Sequence, residues 1–318
     1  MNSPFKEAAP GPAAVEIMEV SPRDGLQNEA RLVSTDDKLR LIEQAIDSGI
    51  KRIEVTSFVH PKRVPQMADA DELCAQLPQR GDLTYAGLVL NERGYERLLA
   101  TGRLNEVGLV IPASDTFGER NQGQSVDDGL AMACEVLADA KQRGIAAQVT
   151  IAVAFGCPFE GEVPVERILA MAERLAAAGP VHLGLADTVG VGGPSDVLER
   201  FGGLRQSLGD ALPLRAHFHD TRNTGIANAF AALHCGVHIL DASIGGIGGC
   251  PFAPNATGNI ATEDLLYMLN RAHVEHGVDL ESTRATAAWL ETVLDKAVPS
   301  MLLKAGDFPG EIYNSASA

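Results

Sequence analysis

The sequence predicts an α/β fold, a (β/α)8 (TIM) barrel with an extra C-terminal helical segment, and three observations carry that prediction. Short apolar runs rich in β-branched residues recur about eight times along the 318 residues, the number a closed barrel needs. Segments of helical periodicity separate them, an alternation that yields a parallel sheet covered by helices. A doubly wound sheet is the competing layout. The turn after the first run reads SPRDGLQN rather than the G-x-G-x-x-G of a dinucleotide-binding sheet, which favours the barrel.

The strand candidates are residues 15–20 (VEIMEV), 52–58 (RIEVTSF), 84–90 (TYAGLVL) and 106–111 (EVGLVI), followed by 148–155 (QVTIAVAF), 181–185 (VHLGL), 214–218 (LRAHF) and 237–242 (VHILDA). Between the first two, STDDKLRLIEQAIDSG reads as a helix. Ser34 caps it, Asp37 stands three residues on as in a capping box, Leu39, Ile42, Ala45 and Ile46 form an apolar face, and Gly49 stops it. Residues 125–144, 165–179, 194–208 and 224–236 read in the same way. A further helix is expected over 279–298, and the span 276–318 is expected to pack on the barrel as an extension. Residues 1–14 read as a short mobile leader without a signal-peptide apolar core.

Composition narrows the function. Hydrophobic residues make up 45% of the chain, enough for a core, and 42 acidic residues against 26 basic ones give a formal charge of −16. Such a chain is a poor partner for nucleic acid or anionic membrane, and neither is expected. The five cysteines, Cys74, Cys134, Cys157, Cys235 and Cys250, include no C-x-x-C pair, so neither a disulfide framework nor a structural zinc site is expected and a reducing cytoplasm is the natural setting. Cys74, Cys134 and Cys235 fall on helical segments and read as packing; Cys157 is left open.

In a barrel of this kind, chemistry collects at the C-terminal ends of the strands. The sharpest signal there is His217-x-His219, because residues two apart on a strand point to one face and can bring both imidazoles to one ion. With Asp24 and the amide oxygen of Asn259 they make a mixed nitrogen and oxygen set suited to magnesium or manganese with open positions. The plain alternatives are core histidines in a strand and a helix-capping Asp24. Arg23 offers a fixed donor array for a developing oxyanion. Glu54, inside an apolar strand, must pair with Arg23 or another cation, or face a wet site. Asp187 is a site carboxylate or a turn cap. Cys250, on the glycine-rich stretch GGIGGCPFAPNATGN, is a small hydrophobe or a mobile, proton-transferring thiol, and the glycines read as a hinge. Lys62-Arg63 and Glu119-Arg120 are solvated surface, or candidates for a polyanionic tail.

Taken in order, VSPRDGLQNE, IEVTSFVHPKRVPQM, AFGCPFEG, ADTVGVG, AHFHDT and GGIGGCPFAPNATGNIATEDLLYML resemble the hydroxymethylglutaryl-CoA lyases over roughly residues 15–275, the expected barrel domain. The resemblance implies metal binding by Asp24, His217, His219 and Asn259. Arg23 would hold the enolate oxygen and Cys250 would be the loop thiol, with Glu54, Asp187 and Glu263 as supporting carboxylates; Glu263 enters only through the resemblance. It further implies an acyl-CoA substrate, a divalent Mg2+ or Mn2+ cofactor, and a homodimer. Departures stand at Arg222-Asn223-Thr224, at P-N-A-T in the last loop and at Ala30. The expected reaction is cleavage of 3-hydroxy-3-methylglutaryl-CoA to acetyl-CoA and acetoacetate, with Asp24 or His217 as the base and Cys250, with His217, as proton donor. The alternatives are a citramalyl-CoA-like or isoprenoid-derived thioester, a condensing synthase, and a silent binding scaffold.

Overall fold

A computed structural model describes residues 12–249 and 258–308. Eight parallel strands close into a barrel in chain order: β1 (Glu16–Glu19), β2 (Arg52–Ser57), β3 (Thr84–Val89), β4 (Glu106–Pro112), β5 (Ala146–Ala152), β6 (Leu183–Asp187), β7 (Leu214–Phe218) and β8 (Ile239–Ala242). Every predicted run is a strand. The largest shifts fall at β5 and β6. β5 starts two residues early and ends at Ala152, because Val153 takes a positive φ of 49° and turns the chain away. β6 starts at Leu183, after Val181 has given its N–H to Ala147 as an isolated contact.

The helices follow suit: α1 (Thr35–Asp47), α2 (Ala70–Gln76), α3 (Glu92–Thr101), α4 (Asp115–Asn121), α5 (Val126–Arg143), α6 (Val165–Ala177), α7 (Pro194–Leu208), α8 (Gly225–Leu233), α9 (Thr262–Arg271), α10 (Leu280–Leu294) and α11 (Met301–Ala305). Ser34 caps α1, its Oγ accepting from the Asp37 N–H at 3.1 Å while donating to the Asp37 carboxylate at 2.7 Å. The buried face of α1 differs from the expected one. Leu39 is half-buried, whereas Lys38 is buried beside Leu41, Ile42, Ala45 and Ile46. Its ammonium reaches Asp69 at 2.7 Å and the Gln66 carbonyl, and a buried cation needs such partners. α10 lies against α1, α9 and the turn after β8.

Most apolar side chains pack between the sheet and the helices. The barrel interior holds a separate small cluster of Met18, Val20, Ala86 and Ile239. Its remaining space is filled by buried polar residues that alternate inward along the strands, among them Glu54, Glu106, Gln148, Thr150, Arg215 and Asp241. A barrel filled with bulky branched residues would have no such reserve of charge.

Candidate active site

The chain leaves β1 through a tight π-helical turn, Ser21–Gly25, which Gly25 closes by donating its N–H to the Val20 carbonyl at 3.1 Å. A Cβ on Gly25 would stand 2.7 Å from Ser243 Oγ and 2.9 Å from Ile247 Cγ1, so only glycine lets this turn press against the loop after β8. The turn delivers Arg23 and Asp24 to the wall of a cavity of about 340 Å3. His217 and His219, alternating inward at the end of β7, line the same cavity.

Asp24, His217 and His219 each offer one ligand atom, and the three atoms lie within 4.8 Å of one another. Both Nε2 atoms stand 3.9 Å from Asp24 Oδ2. Asn259 reaches the group through an isolated bridge to His219 and donates from Nδ2 to Asp24 Oδ2 at 2.9 Å. Its Oδ1 is buried without a hydrogen-bond partner, an oxygen of the kind a hard cation takes. A carboxylate and two imidazoles therefore fit a divalent ion, and an Asn259 amide turned end for end would add its oxygen.

Electrostatics favour that use. Burial resists ionisation of Asp24, but the charge of Arg23, then that of His217, and the Asn259 hydrogen bond outweigh it and hold the carboxyl well below the usual carboxylate range. Burial and then the charge of His217 push His219 down to about 4, so its imidazole is neutral and free to bind a cation near pH 7. His217 differs. Burial would depress it, yet the hydrogen bond and charge of Asp241 raise it above the ordinary histidine value.

Arg23 pairs with Glu54 on one side and with Asp24 Oδ1 at 2.5 Å on the other. Three of its five N–H groups are thereby engaged, leaving donors for the cavity that it lines. Burial raises the Glu54 pKa against the opposing pull of Arg23 and Arg215. Glu54 thus takes the paired alternative.

Asp187 and Glu263 are fully buried and do not line this cavity. Asp187 accepts the N–H groups of Val191 and Gly192, both at 2.9 Å, so it shapes the loop after β6 as a turn cap would. Glu263 accepts the Gly245 N–H on both oxygens at 3.1 Å and fastens the turn after β8 to α9. Cys250 lies outside the described residues. The Cys157 thiol is buried 2.9 Å from Ser114 Oγ, and Cys74 is buried in α2. Arg63 lines the cavity, whereas Arg120 stacks over the Phe159 ring at 4.2 Å. Arg222 turns to the Val189 and Gly190 carbonyls, at 3.1 and 2.7 Å.

Residue types alone did not single out Asp241, Arg215, Glu19 or Asn28. Asp241 Oδ2 stands 3.0 Å from His217 Nδ1, and Oδ1 stands 3.2 Å from Arg215 Nε. The pairing of β7 with β8 carries the signal, since Ala216 aligns with Leu240 and the residues that follow these two are His217 and Asp241. Glu19 ties the β1 turn to the Ile244 N–H and the Thr262 hydroxyl. Asn28 donates to the Gly249 carbonyl across the mouth at 2.5 Å.

The family model described as HMGL-like matches residues 14–290. A hydroxymethylglutaryl-CoA lyase of Bacillus subtilis is 39% identical over 295 residues, spanning 93% of this chain and 98% of the relative. The (R)-citramalyl-CoA lyase of Chloroflexus aurantiacus is 40% identical over 316 residues, spanning 95% and 98%. A solved structure of an HMG-CoA lyase from Acinetobacter baumannii, in complex with coenzyme A and 3-methylmalate, superposes with a TM-score of 0.89 at 36% identity, over 93% of this chain and 96% of that one. Barrel, family model and full-length relatives agree: this chain belongs to the HMGL-like family and is a carbon–carbon lyase.

Proposed function

We propose that the protein cleaves 3-hydroxy-3-methylglutaryl-CoA to acetyl-CoA and acetoacetate. The observation that carries this reading is the convergence of Asp24, His217 and His219, with Asn259 bonded to Asp24, beside an arginine with spare donors that lines the same cavity as the triad. Asp24, His217 and His219, with Asn259 Oδ1, would hold a divalent cation such as magnesium or manganese. When bound, that ion acidifies the substrate's tertiary hydroxyl and orients it.

The chain's own groups do the rest. The hydroxyl proton passes to Asp24 or His217, both on the cavity wall. As the C2–C3 bond breaks, C3 becomes the ketone carbon of acetoacetate and the electron pair moves into the thioester enolate. Arg23 donates to the enolate oxygen, held ready by Glu54 and Asp24 so that little reorganisation is needed as charge develops. Cys250, with His217, returns a proton to C2 and completes acetyl-CoA. Glu54 keeps the guanidinium oriented, while Asp187 and Glu263 hold the surrounding loops. Leu88, Val110 and Phe117 give the cavity an apolar side for the C3 methyl group.

The citramalyl-CoA lyase relative favours a second reading, the same bond cleavage on citramalyl-CoA with pyruvate in place of acetoacetate. Assays on both thioesters, with acetoacetate and pyruvate measured separately, discriminate the two. Activity abolished by chelation and restored by magnesium or manganese is expected; turnover indifferent to chelator overturns the metal assignment.

A further inference from the structure

We propose that Asp241, braced by Arg215, is a positioning residue that sets the tautomer and angle of His217 for the cation; the inference rests on the metal reading above. Asp241 is buried on β8, and its two oxygens face different partners: Oδ2 is hydrogen-bonded to His217 Nδ1 at 3.0 Å, and Oδ1 forms an ion pair, without hydrogen-bond alignment, with Arg215 Nε at 3.2 Å. Arg215 is itself fixed from the far side of β6, where Nη2 donates to Thr150 Oγ1 on β5 at 2.6 Å. The crossing needs an open strand. A Cβ at Gly184 on β6 would stand 2.9 Å from Thr150 Oγ1 and 3.3 Å from Arg215 Nε, so the glycine leaves room for the bridge.

A carboxylate only accepts, so the Asp241 contact places the imidazole proton on Nδ1. The Nε2 lone pair then faces Asp24 Oδ2, 3.9 Å away, where the three ligand atoms converge. His219 lacks this support, since its Nδ1 is buried with no hydrogen-bond partner. The two imidazoles are therefore not equivalent: His217 is held from behind and His219 is not.

The test is a Mn2+ titration followed by electron paramagnetic resonance of the free ion, which needs no turnover. In Asp241→Asn the amide oxygen turns toward the Arg215 guanidinium and presents its NH2 to His217, driving the proton to Nε2. Mn2+ affinity should fall about 10- to 100-fold, as it does when the partner of a ligating histidine is removed. In the double variant Asp241→Asn/Arg215→Met the amide can rotate its oxygen back to Nδ1, so more than about threefold of the affinity should return. Asp241→Ala, with the acceptor simply absent, provides a second variant and should lose affinity in the same range. Glu106→Gln, in the lower barrel, controls for generic loss of a buried charge and should bind Mn2+ as wild type does. Wild-type binding unaccompanied by a loss in either Asp241 variant overturns the inference, and so does a double variant no better than the single one. Wild type that binds no Mn2+ overturns the metal reading, and the inference falls with it.

Discussion

Two buried ionic networks occupy the barrel interior, one at each end, and they are built from the same kinds of residue. At the N-terminal end Arg52 pairs with Glu106 and, at 3.0 Å, with Glu16, while His182 Nε2 stands 3.5 Å from Glu106. At the C-terminal end Arg23 pairs with Glu54 and Asp24, and His217 with Asp241. A cleft opens beside the lower network, yet no three metal-ligating groups converge there among the described residues. The difference lies in where unused capacity points. Below, the charges neutralise one another along the strand starts, where barrel residues read as stability. Above, an arginine with spare donors, a strongly ionised Asp24 and a neutral His219 face a common cavity.

That contrast breaks first if Arg52→Met harms catalysis as much as it harms the fold. Removing the cation leaves Glu106 and Glu16 without their partner, and losing one member of a buried pair costs about 3–5 kcal/mol. Urea unfolding should report a loss of that size, while kcat per folded molecule should match wild type. A deeper loss of kcat would mean that the lower network reaches the site.

Arg23→Met is the converse change. Loss of a preorganised oxyanion donor should lower kcat about 100- to 1000-fold, or roughly 3–4 kcal/mol of transition-state stabilisation, with much less effect on substrate binding. Steady-state kinetics on the cleaved thioester measures this. Near-normal kcat would remove the oxyanion role.

The strands, the helices and the strand-end groups Arg23, Asp24, His217 and His219 were legible because periodicity and strand-end position are local properties. The Arg23–Glu54 pair was legible for a related reason: a charge in an apolar strand demands a partner. What escaped needs register across strands. Asp241 and Arg215 are ordinary residues of their own strands, and only the β7–β8 alignment and the bridge to Thr150 give them a task. Lys38 escaped because its partner Asp69 lies 31 residues along the chain. Asp187 and Glu263 show the opposite limit: strand-end position left the first as site group or turn cap and the family resemblance alone suggested the second, while their hydrogen bonds go to loop backbone.

Glu263 sharpens the comparison from outside both networks. Burial, only partly offset by backbone and Ser300 hydrogen bonds, raises its pKa to about 7. The folded state therefore holds a proton that the unfolded state, with the ordinary glutamate value of 4.5, has already lost. The resulting stability is fully present below the unfolded pKa and disappears as pH rises through about 7. Across about pH 5 to 8, wild type should lose on the order of 2 kcal/mol relative to Glu263→Gln, whose side chain does not titrate. Parallel pH profiles of unfolding free energy for the two proteins would show that Glu263 is ionised in both states and contributes no such slope.

The smallest effect calibrates the others. Ser34 is exposed on the outer helix layer, and its contacts are local: its oxygen caps α1 and its hydroxyl meets Asp37. Ser34→Ala removes one side-chain acceptor from the first turn and should cost about 1 kcal/mol. Chemical denaturation should detect that loss, while kcat and Mn2+ affinity stay at wild-type values. If so modest a destabilisation also lowered Mn2+ affinity, changes seen in the Asp241 variants could no longer be separated from general loosening of the barrel. A capping variant with native metal affinity ties those changes to the His217 contact itself.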